Sequence, residues 1–128
     1  MVNLVVALDD APCELQCAIR EFWPELEWEN AANVAWLESG FNAFAVADTR
    51  DSEHPCGAFL RTVGGVAVYA EFSVGYFQIN VCAARFASWT PGDLVNARHN
   101  AGTAHMIWSD AGGNWSPWYW SARKLGLI

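Results

Sequence analysis

The 128-residue chain is one domain's worth of polypeptide, enough to bury a single core and too short for two. Hydrophobic residues make up 53% and charged residues 16%; this excludes a disordered chain, and no apolar run reaches the roughly 20 residues that a membrane span requires. A net charge of −7 excludes partners held through clustered positive charge, namely nucleic acid and anionic membrane surfaces.

The opening MVNLVVALDDAPC has a short apolar stretch without a basic segment ahead of it, and Asp9 and Asp10 interrupt it, so no signal peptide is expected. In ELQCAIREFW, Leu15, Ile19, Phe22 and Trp23 fall on one helical stripe, and Pro24 interrupts it, which predicts a first helix. Pro24 can also open a second helix, PELEWENAANVAWLES, with Trp28, Ala32, Ala35 and Trp36 on one face, acidic residues in the first turn and Gly40 as the stop. Glu38 then lies in the last turn of an apolar helix, where the partial negative charge of the helix end disfavours a carboxylate and helps it keep its proton.

After FNAFAVAD comes a polar loop, TRDSEHPCG, and then two alternating runs, AFLRTV and VAVYAEF, joined by Gly64 and Gly65. Paired glycines accept the positive φ of a tight hairpin turn, so a β-hairpin is expected. Asp93 in TPGDL can cap a third long helix through VNARHNAGTAHMIW, ended by Gly112 and Gly113, and NWSPWYWSARKLG predicts a short last helix with Ser116 as N-cap and Pro117 at the first position. The order of elements is that of a mostly helical α+β domain over residues 1–128, with a cleft where the hairpin meets the helices.

Four cysteines, Cys13, Cys17, Cys56 and Cys82, allow three disulfide connectivities. A bond between Cys13 and Cys17 would strain a regular helix, so Cys56 with Cys82 is the more natural pair. These cysteines and the three histidines lack the compact ligand spacing of a zinc site, and no metal is expected. Eight tryptophans supply side chains for the core and rings that stack well on the apolar faces of sugars.

Three strings in order, ESGFNAFAV, GYFQIN and NARHNAGTAHMIWSDAGGNWSPW, resemble the lysozyme superfamily, especially its bacterial and phage members of the lytic-transglycosylase type. The resemblance spans about Trp28 to Trp120 and implies a lysozyme-like fold with a small β-hairpin or sheet flanking an active-site cleft. It implies Glu38 as the catalytic acid and Gln78 and Asn80 as cleft-wall residues that hold the N-acetyl groups of a glycan, with Tyr76, Ser73 and Trp118 helping to form the cleft. Gly75 corresponds to a glycine that lets the strand pass close to the helix carrying the acid, and Asn96 to a structural asparagine. The implied activity is that of a muramidase cutting the β-1,4 bond between N-acetylmuramic acid and N-acetylglucosamine in peptidoglycan, without metal or organic cofactor.

Glycoside cleavage requires a carboxylic acid that is still protonated near neutral pH, and Glu38 has the apolar setting and the helix end that favour this. Relatives carry a second carboxylate just before or just after the strand with the glutamine; those positions are Ser73 and Asn80. Glu71, on the strand face of Ser73, and Asp48, in the segment leaving the Glu38 helix, are the candidates for that role. Without a second acid, the substrate's own N-acetyl group can stabilise the sugar cation, which tilts the expectation toward a lytic transglycosylase. The stretch RDSEHPCGAFLRTVGG is longer than the usual connection, and a bond from Cys56 to Cys82 would clamp it beside the cleft. The expected setting is the cell wall, outside the cell, in the periplasm or carried on a virion, with the chain acting as a monomer or as a domain of a larger assembly. The alternatives are a non-catalytic glycan-binding or structural module with the same cleft, and a chitin-directed hydrolase.

Overall fold

The computed structural model of the chain describes residues 2–83, 86 and 89–128. The described residues form a mostly helical α+β arrangement of five helices with two small antiparallel sheets. None of the described helices is long and apolar enough to cross a membrane.

Helix α1 (Cys13–Phe22) buries Leu15, Ala18 and Ile19, as its apolar stripe requires. Pro24 introduces a 3₁₀ turn, Glu25–Glu27, and α2 proper begins only at Trp28, running to Ser39. The buried face of α2 is made of Ala31, Ala32, Val34 and Ala35, small side chains that admit close neighbours, while Trp36 is exposed and packs on Phe41. Gly40 ends the helix in the left-handed region, φ 61°, with its N–H on the Trp36 carbonyl at 2.8 Å.

One sheet has the order β1 (Val46–Asp48), β4 (Phe72–Val74), β5 (Ile79–Asn80), all antiparallel; the other is the hairpin of β2 (Phe59–Val63) and β3 (Val66–Tyr69). Gly64 and Gly65 make the hairpin turn with φ 55° and 81°, the double positive φ expected of paired glycines. Cys56 and Cys82 are disulfide-bonded with Cα atoms 5.2 Å apart, tying the loop before β2 to the segment after β5; Cys13 and Cys17 are exposed free thiols.

The single long helix expected behind Asp93 is two helices. Thr90, not Asp93, caps the one-turn α3 (Pro91–Leu94), its hydroxyl accepting from the Asp93 N–H while the Asp93 carboxylate accepts from the Thr90 N–H at 2.9 Å. The chain then extends at Asn96, ψ 125°, whose side chain accepts from the His99 N–H at 3.0 Å and opens α4 (Ala97–Asp110). At the C-terminal end, Ser116 is not the N-cap: that position is Trp115, without a side-chain cap, and Asn114 just before it accepts the Ser116 N–H on its side-chain oxygen at 2.6 Å. A 3₁₀ turn, Ser116–Trp118, follows and leads into α5 (Tyr119–Leu125).

Apart from Ala70, the buried apolar side chains among the described residues form one cluster, with α1 packed on α4 and α2 on α5. Trp23 lies at its aromatic centre, 5.3 Å from Phe77 and 5.6 Å from Trp115 between ring centroids. Fully buried Asn100 crosses from α4 to the first sheet: its side-chain oxygen accepts from the Phe77 N–H, and its N–H₂ donates to the carbonyls of Val74 and Leu94, each at 2.9 Å. Gly75, φ 84°, passes so close that a Cβ there would stand 2.3 Å from the Asn100 nitrogen and 2.5 Å from the Leu94 carbonyl oxygen. The close approach that requires glycine is therefore to α3 and α4, not to the helix carrying Glu38. Asn100→Ala removes three buried hydrogen bonds and is expected to cost roughly 3 kcal/mol or more. Gly75→Ala should cost a similar amount, and urea unfolding of the double variant should show less than the sum, because both disrupt one contact.

Candidate active site

Glu38 stands in the last turn of α2, and its carboxylate accepts the hydroxyl hydrogen of Ser121 from α5. Burial pushes the Glu38 carboxyl above the ordinary glutamate range; the Ser121 hydrogen bond opposes this, and the charge of Glu71 adds to it. Removal from water is the largest of these effects, and α5, which carries Ser121, packs on α2.

Glu38 borders a groove of about 500 Å³ that runs between the sheets and the C-terminal segment. One wall carries Glu71, Ser73, Gln78 and Asn80, the other Pro117, Trp118, Tyr119 and Trp120, and Val66 and Ala67 of the hairpin close one side. The buried Ser73 hydroxyl donates to the Glu71 carboxylate and fixes its direction. Gln78 is held in the left-handed region, φ 49°, with its side-chain N–H₂ donating to the carbonyls of Ala45 and Gly75 at 3.0 and 3.1 Å. Those two bonds offset the cost of positive φ on a side chain with a Cβ. The Asn80 side-chain oxygen accepts from the N–H groups of Cys82 and Phe72 at 3.0 and 3.3 Å. This fixes the orientation of the amide at the groove wall.

Trp118 is 7% exposed and donates its ring N–H to the Phe77 carbonyl at 2.8 Å, so it contributes an edge to the groove rather than an open face. No family model matches this chain, and no curated protein and no solved structure does.

Two residues expected at the cleft are elsewhere. Tyr76 is buried, its hydroxyl donating to Glu14 of α1 at 2.5 Å, and burial with the nearby Glu14 carboxylate raises its pKa. Gly75 to Gln78 form the turn between β4 and β5; Tyr76 and Phe77, both buried, face into the helices, while Gln78 returns to the groove. Asp48 is also outside the groove lining: it sits in a shallow hollow with Arg50, Asp51, Pro55 and Cys56. Both oxygens of Asp48 accept from the Arg50 guanidinium at 2.8 Å, and this pairing pulls its carboxyl down to about 2. Of the two candidate second carboxylates, Glu71 shares the groove with Glu38 and Asp48 does not.

Ser121, the hydrogen-bond partner of Glu38, and Trp120, in the groove wall, are among the residues that sequence reasoning missed. Trp120 carries a weak signal, an indole next to Trp118 in a short terminal helix; Ser121 carries none, because it meets Glu38 across 83 positions of chain. A larger hollow, about 680 Å³, lies among α1, α3 and α4 and includes Trp89, Asp93, Arg98 and His99. Its charged groups are engaged within the protein, Arg98 with Glu21 and Asp93 with Thr90.

A carboxyl whose folded pKa is raised favours the fold fully below its unfolded value, and that contribution is lost as pH rises through the folded pKa. Glu38→Gln removes the ionisation and retains an acceptor for Ser121. Thermal unfolding should therefore show Glu38→Gln more stable than wild type at pH 8, with the difference shrinking to nothing at about pH 4.

Proposed function

We propose that the chain is a peptidoglycan glycosidase of the lysozyme type that cleaves the β-1,4 bond between N-acetylmuramic acid and N-acetylglucosamine, with Glu38 as general acid and then base. The observation that carries this reading is the setting of Glu38: a desolvated carboxyl in the last turn of α2, bordering a groove walled by the strand that bears Gln78 and Asn80. Its raised pKa keeps a proton available for the glycosidic oxygen, a poor leaving group until it is protonated.

Bond cleavage leaves positive charge on the sugar ring. Glu71, in the same groove and anchored by Ser73, supplies a carboxylate to stabilise that charge, and the substrate's N-acetyl group can share the task. Glu38, now deprotonated, takes a proton from the group that completes the reaction. Water in this role gives a hydrolase, and the muramyl 6-hydroxyl gives a lytic transglycosylase. The site of action on this reading is the cell wall.

Digestion of purified cell walls tests the assignment. Wild type should release muropeptides, and Glu38→Gln should lower the rate by roughly 10³-fold, the contribution of a positioned general acid. Mass spectrometry of the products then separates the two completions, since 1,6-anhydro ends come from transglycosylation and reducing ends from hydrolysis. Equal release by both proteins would remove Glu38 from its role, and no release by wild type would favour a glycan-binding module.

A further inference from the structure

The stretch between β1 and β4 leaves the first sheet and returns to it at one place. Asp48, the last residue of β1, pairs with Phe72, the first of β4, and at the same root the Thr49 N–H donates to the Glu71 carbonyl at 3.0 Å. Everything between, the β2–β3 hairpin included, is an excursion from two adjoining points of chain.

Little of that excursion is tied to the rest of the molecule. Among the described residues, every hydrogen bond and ion pair of residues 50–70 stays within residues 48–72. Neither hairpin strand contains a buried residue, and Ala70, 1% exposed, stands apart from the main core. A lone two-stranded hairpin is marginal in water, so its position has to be fixed from outside. The disulfide from Cys56 to Cys82 does this, fastening the chain just ahead of β2 to the segment after β5. Val66 and Ala67 of the same hairpin wall the Glu38 groove.

We infer that residues 50–70 form a flap on the groove, held closed by the Cys56–Cys82 bond, and that reduction of this bond releases the flap and weakens binding in the groove. Cys56 is exposed, so a dithiol reductant can reach the bond. One thiolate of the reductant attacks a sulfur of the pair and forms a mixed disulfide; its second thiol then closes to a ring disulfide, and two electrons and two hydrogens end on the Cys56 and Cys82 thiols. With the bond intact the flap has one position. Without it, open positions compete with the closed one, and affinity falls with the closed fraction. Glu38, Glu71 and Ser121 lie outside the flap, so the effect falls on binding and not on the chemical step. The flap itself is independent of what the groove binds; its effect on turnover rests on the muramidase reading.

The test uses the full chain with Cys13→Ser and Cys17→Ser, which removes the two free thiols and leaves the bonded pair as the redox-active one. Amide hydrogen exchange is followed by mass spectrometry before and after treatment with dithiothreitol, and cell-wall digestion is measured on the same samples. Reduction should speed exchange across residues 59–69 roughly tenfold or more while α1 and α4 keep theirs, and glutathione disulfide should restore the slow exchange. The apparent KM for wall digestion should rise roughly tenfold with kcat unchanged. Adding Cys56→Ser and Cys82→Ser should reproduce the reduced protein without any reductant. Hairpin exchange that stays slow after reduction overturns the flap, and so does exchange that rises equally in α1 and α4, because the bond is then a staple for the whole fold. A freed hairpin with wall digestion unaltered overturns the control of binding and leaves the muramidase assignment intact. A freed hairpin in a protein that digests no wall in either state supports the flap and counts against that assignment.

Discussion

Asn100 is the contact on which the groove depends. Its amide satisfies three backbone groups from two directions, the Phe77 N–H and Val74 carbonyl on the sheet side and the Leu94 carbonyl on the helix side. All three bonds are buried, so losing the amide would forfeit them together. The turn held there passes its order along. Phe77, fixed through its N–H, accepts the Trp118 indole N–H on its carbonyl, which seats the start of α5. Helix α5 then brings Ser121 onto Glu38. A packing decision in the core thus sets the electrostatics of a carboxyl on another helix.

Three acidic side chains show how environment divides roles. Asp48 meets a guanidinium at the surface and is held firmly ionised. Glu71 sits at the groove with a serine hydroxyl for company. Glu38 is removed from water and feels the charge of Glu71. The cost of desolvating Glu38 falls on stability at neutral pH, where an ordinary glutamate is ionised.

Much of this was legible in the sequence because it depended on local rules. The helix stop at Gly40, the hairpin at Gly64 and Gly65, and the pairing of Cys56 with Cys82 each follow from backbone or covalent geometry acting over a few residues or by elimination. The break between α3 and α4 was hidden because both halves continue one apolar pattern and two good caps, Thr90 and Asn96, stand six residues apart. Tyr76 misled for a different reason: strand alternation does not hold in the four-residue turn that carries it, so its ring faces α1. Glu71 and Asp48 could not be ranked from sequence, since the arginine that claims Asp48 and the groove that receives Glu71 are properties of the folded chain. Ser121 was beyond reach on the same ground.

The claim beneath all of this is that Glu38 holds its proton at a pH where an ordinary glutamate has lost it, with Ser121 restraining how far. Following the Glu38 side-chain carboxyl carbon by NMR across a pH titration, in wild type and in Ser121→Ala, tests that directly. The wild-type midpoint should lie above the ordinary value of 4.5, and Ser121→Ala should move it higher, because the lost hydroxyl favoured the ionised form. A midpoint at or below 4.5, or one that Ser121→Ala leaves in place, would contradict it.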